Sequence, residues 1–197
     1  MWIRRILAGI FLIGLPTSSD AVELVESTKY FTIRGHTLPG IERDIARLGP
    51  LNPIGRKRTA GAMRVSFTKN MRYVPGPRSC SIGSSSVGLR LDATQPKWRP
   101  SGRPDARTKI VYEALQKDVL TFQKDQRRIA LSTARDIETA VSRVRPQRTC
   151  ADLERQVVRT AAPFIKRHET AQLRLIDKYG KGFEAKVRRA LRSAPAS

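Results

Sequence analysis

Histidine, cysteine and aromatic residues are scarce in this chain. Of its 197 residues two are His, two are Cys and 6% are aromatic. His36 and His168 are too far apart in sequence to form a ligand pair one helical turn apart. Neither Cys80 nor Cys150 has another Cys or His at ligand spacing, so the usual zinc-site patterns are missing. The low aromatic content weakens any function built on stacking nucleic-acid bases. No run approaches the ~18 consecutive apolar residues that a membrane-spanning helix needs. Acidic residues are also few, 17 against 38 Lys and Arg, which leaves a formal charge of +21. What is present in normal measure is apolar content, 40% of residues. A chain of this length and composition can bury the core of one domain, and global disorder is excluded.

The amino terminus has three parts. Met1-Trp2-Ile3-Arg4-Arg5 is basic, residues 6–15 are apolar, and Pro16 leads to a polar stretch ending Ser19-Asp20-Ala21. Small residues stand at −3 and −1 of a cut before Val22. This is the pattern of a secretory signal peptide over residues 1–21, with an apolar run too short to span a bilayer. Its loss would remove Arg4, Arg5 and Asp20 and leave the remainder strongly basic. The expected location is therefore periplasmic or secreted. In an oxidising compartment an even pair of cysteines points to a disulfide, Cys80 to Cys150. Closing so long a loop stabilises a fold by roughly 4 kcal/mol.

The remainder reads as α+β, a small antiparallel sheet packed with a long helix and a second, C-terminal helix. Tyr30 to Arg34 is a strand ending at Gly35. Leu38, Ile41, Ile45 and Leu48 mark one face of a short helix, which Gly49-Pro50 stops. Met63, Val65 and Phe67 alternate with polar residues, as do Val87, Leu89 and Leu91, the period of half-buried strands. Gln95 to Pro104, rich in proline, reads as a linker. From Asp105 to Val144 neither Pro nor Gly occurs, and a stripe from Val111 to Val144 steps by three or four, with Gln126 and Thr133 its only polar members. A helix that long, roughly 60 Å, predicts a bend or break. Thr149 and Asp152 form a helix-start signal. The second helix presents Leu153, Val157, Ala161, Ile165 and His168, with Pro163 a kink site. The main domain is thus expected over residues 22–180, followed by a basic amphipathic tail over 181–197.

The order of these pieces is more distinctive than any one of them. Cys80 leads into Val87-Gly88-Leu89, then Gln95-Pro96-Lys97-Trp98, then Ala134-Arg135-Asp136-Ile137-Glu138, then Thr149-Cys150-Ala151-Asp152-Leu153. Over roughly residues 28–182 the chain resembles a bacterial family of predicted secreted zinc-dependent proteases, otherwise a domain of unknown function. That resemblance implies His-Glu-x-x-His on the first half of the long helix, two zinc ligands one turn apart and a general base beside the first. Set in register, those positions hold Phe122, Gln123 and Gln126. Phe122 has no lone pair, Gln123 accepts no proton at neutral pH, and Gln126 is a poor zinc ligand. No His lies on the helix, and the further His implied near the carboxyl end has no counterpart around Tyr179-Gly180-Lys181-Gly182. The catalytic signature is degenerate, so no catalytic residue, metal ligand or cofactor is expected.

The remaining features are weighed against plain structural roles. Gln126 within an apolar stripe is either the remnant of a site or a hydrogen-bonded core amide, and Thr133 can bond a carbonyl one turn back. His168 on an apolar face reads as structural, and His36 as a residue at a helix entry. An active peptidase with unusual ligands, the one case that would bring in zinc, requires His36 and His168 to converge. The basic residues are dense only at Arg56-Lys57-Arg58, from Lys97 to Lys109, and at Lys186 to Arg189. No nucleic-acid-binding motif is visible. Export makes anionic envelope components, such as phospholipid headgroups or acidic polymers, better partners than nucleic acid. The expected function is a non-catalytic relative of the proteases with a binding or structural role in the cell envelope. The alternatives are the unusual peptidase and a module that binds anionic polymers or membrane surfaces.

Overall fold

A computed structural model describes residues 22–51 and 57–192, with the side chains of residues 183 and 184 left aside. The candidate signal peptide, Arg56 and the last five residues lie outside the described residues. The elements run β1 (Glu23–Ile33), α1 (Leu38–Leu48), β2 (Ala62–Pro75), β3 (Cys80–Trp98), α2 (Ala106–Ser142) and α3 (Cys150–Arg192). The class is α+β, with a long helix and a C-terminal helix, as the patterning predicts.

The three strands form one sheet in the order β1-β3-β2. β2 and β3 make an antiparallel pair, Ala62 opposite Thr94 and Pro75 opposite Cys80. β1 lies parallel to β3, Glu23 opposite Gly88 and Ile33 opposite Trp98. The sheet is therefore mixed, where an antiparallel one was expected. Alternation reports which face is buried and carries no information on strand direction. Direction is set instead by the crossover through α1 that separates β1 from β2.

The segment expected to be a linker, Gln95 to Trp98, belongs to β3. Proline in a central strand would remove a ladder bond. Pairing with β2 stops at Thr94, while pairing with β1 continues through Pro96 to Trp98. Pro96 therefore stands where β3 has become an edge, and the side lacking a partner strand tolerates its missing N–H.

α2 crosses the helix-facing side of the sheet. Ala130, Ala134, Ile137 and Val141 pack with Val87, Leu89, Leu91 and Val157 in the main core. Ala130 and Ala134 are fully buried, and their small side chains let the helix lie close to the strands. Asp105 caps α2, accepting from the Thr108 N–H at 2.6 Å, and the helix runs to Ser142 without a break.

A second core forms at the other end from Ile33, Ile41 and Tyr112, with Trp98 beside them. There α1 is tied to the end of β1: the Asp44 carboxylate accepts from the Arg34 N–H at 2.7 Å and the Gly35 N–H at 2.9 Å. A side chain at Gly35 would place its Cβ 2.2 Å from the Gly40 backbone, so only glycine fits that crossing. The Trp98 indole donates to the Gly35 carbonyl at 2.7 Å and stacks on Tyr112.

α3 begins at the disulfide between Cys80 and Cys150. Thr149 caps it, its hydroxyl accepting from the Asp152 N–H at 3.1 Å. Gln147, just before, exchanges two backbone bonds with Cys80, so the starts of β3 and α3 are joined covalently and by hydrogen bonds. Pro163 lies inside α3, where Val157 and Ala161 before it and Phe164 and Ile165 after it all pack on the core. That burial offsets the lost backbone bond. The helix then continues through Gly180-Lys181-Gly182 to Arg192.

Candidate functional site

Residues 122 and 126 of α2 share one helix face, and 123 is turned about 100° from 122. The three meet different surroundings. Gln123 points at the sheet and is 4% exposed. Its amide N–H groups donate to the carbonyls of Ala62 and Thr94, each at 3.0 Å, and its oxygen accepts from Gln95 Nε2 at 2.7 Å. Ala62 and Thr94 are opposite one another on β2 and β3, at the point where the ladder between these strands ends. Gln123 thus supplies the donors that a further ladder pair would have supplied.

Phe122 and Gln126 meet α3. The Phe122 ring lies edge-on to Tyr179, centroids 5.2 Å apart. The Tyr179 hydroxyl donates to Asp125 at 2.9 Å. Burial, and then the hydrogen bond to the anionic Asp125, pushes its pKa up to about 12, so the phenol stays neutral. Lys186 lies over the Tyr179 ring and pairs with Asp118. Asp118, Phe122 and Asp125 thus hold this stretch of α3 against α2. Gln126 Nε2 donates to Gln172 Oε1 at 2.9 Å. The other two amide atoms of that pair, Gln126 Oε1 and Gln172 Nε2, are buried without a partner.

His168 lies one turn before Gln172. It is 7% exposed, edge-on to Phe67 at 5.0 Å, and its Nδ1 is 3.4 Å from the Thr133 hydroxyl. That hydroxyl gives its one proton to the Ile129 carbonyl at 2.9 Å, so the imidazole Nδ1–H is the donor. Burial lowers the His168 pKa, opposed by nearby Glu169. The ring is therefore neutral and carries its lone pair on Nε2.

His36 is elsewhere. Its Nδ1 lies 3.5 Å from Ser101 Oγ, just before α2 begins, whereas Thr133 lies roughly 40 Å along that helix. The two histidines do not meet. Among the described residues no three His, Cys, Asp or Glu side chains gather in a group able to hold a metal ion. No described helix is long and apolar enough to cross a membrane.

A groove of about 1100 Å³ opens beside the Gln126–Gln172 pair. Met63, Val65 and Arg64 all border it, although alternation places Arg64 on the opposite face of β2 from the other two. The groove therefore reaches round the outer edge of β2, which among the described strands pairs with β3 alone. Its far wall is α3, through Ile165, His168, Gln172 and Ile176. Gln172 and Tyr179 complete the surroundings of Gln126 and Phe122 but were not singled out by sequence. The signal for Gln172 exists: after Ile165 and His168 it continues the three–four spacing of α3, a polar residue on an apolar stripe, as Gln126 is on α2.

A protein family described as a bacterial protein of unknown function (DUF922) matches residues 28–179. No curated protein and no solved structure matches the chain.

Proposed function

The chain belongs to this bacterial family of unknown function, and from that premise we propose that it is an exported, non-catalytic protein similar to predicted secreted zinc-dependent proteases. Its role is binding or structural, in the cell envelope. One observation carries this proposal: each residue standing where the protease motif calls for a ligand or base has other work. Phe122 is packed on Tyr179. Both ends of the Gln123 amide are bonded within the fold. Gln126 is bonded to Gln172. Zinc does not fit this set, because a phenyl ring offers no lone pair and neutral amides bind zinc weakly. Nor can an amide take a proton from water at neutral pH. The Cys80–Cys150 bond and the tripartite amino terminus support export into an oxidising compartment.

The test is a cleavage assay on the purified protein with added zinc, using a mixed peptide library read by mass spectrometry. No chelator-sensitive cleavage is expected; cleavage abolished by a chelator and restored by zinc overturns the proposal. Fractionation of the source cells tests export, with the protein expected outside the cytoplasm.

The charge of +21 favours a second role, attraction to anionic envelope surfaces. Retention on anionic vesicles should then fall steeply with added salt.

A further inference from the structure

We infer that the groove between β2 and α3 clamps an extended acidic peptide, and that Gln126 and Gln172 read its backbone. This rests on the binding role proposed above and names what is bound. Three observations converge. First, Gln126 is 5% exposed, yet its Oε1 lacks a partner, as does Gln172 Nε2. A buried orphan polar atom needs a cause, and here there are two, one acceptor and one donor. Both side chains border the same groove. The terminal torsion of glutamine is broad, so both amides can turn toward a ligand, whose backbone bonds then replace the one between Gln126 and Gln172.

Second, one acceptor and one donor are what a residue of an extended chain requires, since its N–H and C=O point to the same side. Third, the opposite wall is the edge of β2, a row of backbone groups with no partner strand among the described residues. Successive residues of a strand point their backbone groups alternately to the two sides. A peptide lying in the groove can therefore bond β2 with one residue and the Gln126–Gln172 pair with the next, as a fourth strand. Met63, Val65 and Ile165 supply apolar contacts along the way.

Charge selects acidic side chains. Lys29, Arg64 and Arg90 border the groove along with Asp92 and Glu169. Arg90 and Asp92 are paired with one another and Lys29 stands on β1, across the sheet from that edge. The cation at the edge is therefore Arg64, which has no ion pair among the described residues.

The experiment measures fluorescence anisotropy of a labelled decapeptide of alternating Glu and Val, titrated with the folded protein. Three comparisons accompany it: the same peptide with an N-methylated backbone, a copy with Lys for Glu, and the variants Q126L/Q172L and R64E. The double variant removes the orphan atoms together with the bonded pair of amide groups that carry them and should keep its thermal midpoint. Saturable binding is expected, weakened roughly 10-fold or more by Q126L/Q172L and by N-methylation. R64E should weaken it most at low salt, and the Lys peptide should bind least. If the peptide does not saturate, or if the double variant and the methylated peptide bind as tightly as the originals, the clamp is overturned. The methylated peptide and R64E keep the test decisive should the double variant be unstable. Release of shorter fragments would remove the non-catalytic proposal and leave the clamp standing. An intact peptide held equally well by Q126L/Q172L would do the reverse.

Discussion

Gln123 is the residue at which a catalytic and a structural role differ most sharply. Where the protease motif has a general base, this chain has an amide that donates to two carbonyls and accepts from Gln95. Gln123→Glu restores the carboxyl in the smallest possible change. The new carboxyl can still accept from Gln95, but in its charged form it faces the carbonyls of Ala62 and Thr94 with no proton to give. Each buried acceptor left without a donor costs about 1–3 kcal/mol, so with two of them the variant should lose roughly 2–6 kcal/mol at pH 7. Burial raises the folded-state pKa of the new group above the unfolded value of about 4.3. A raised pKa means that the protonated form is the better tolerated one. The penalty is therefore smallest below pH ~4, where the carboxyl is protonated in both states and can donate one bond. It then grows by about 1.4 kcal/mol per pH unit until the folded-state pKa is passed. Gln123→Leu is the control, with a penalty independent of pH. Urea unfolding from pH 4 to 8 reads both. Q123E within about 0.5 kcal/mol of wild type at pH 7, or a penalty flat with pH, would refute the structural role assigned to Gln123.

Other perturbations test separate parts of the fold. Reducing the disulfide, or replacing both cysteines by serine, opens a loop of sequence separation 70 and should lower stability by about 4 kcal/mol, read by denaturant unfolding with and without reductant. Asp44→Ala leaves the Arg34 and Gly35 N–H groups without their acceptor and should cost roughly 2 kcal/mol at pH 7. Those backbone bonds hold the Asp44 pKa below its usual value, so its contribution is full above pH ~4 and is lost as pH falls through the lower folded value. His168 should titrate below 6.5 in an NMR pH series, because burial disfavours the imidazolium. Its stabilising effect is present above pH ~6.5 and lost as pH falls through the folded value. His168→Leu should flatten stability in that window, and a midpoint at or above 6.5 would contradict the burial argument.

Much of the architecture was legible because local chemistry and tertiary context agree. The face of α1, the cap at Thr149, the alternation of Met63, Val65 and Phe67, and the disulfide all follow from short-range signals. The misreadings have physical causes. Pro96 suggests a linker until the stagger of the strands shows that β3 is an edge there. The direction of β1 is invisible to a pattern of period two. Pro163, expected as a kink site, lies inside a continuous α3 because packing on both sides of it offsets the lost backbone bond. At the candidate site, sequence marks Phe122, Gln123 and Gln126 as unfit for zinc chemistry. It cannot pair Phe122 with Tyr179 or Gln126 with Gln172, because those contacts depend on how two separate helices cross. Nor does anything in the chain near Gln123 announce that its partners are carbonyls at the end of a strand ladder.

Calorimetric zinc titration of the purified protein tests the central claim most directly. The bonded and packed side chains at 122, 123 and 126 predict no stoichiometric, high-affinity uptake. One equivalent of zinc bound tightly, and lost on Gln126→Leu, would contradict the account.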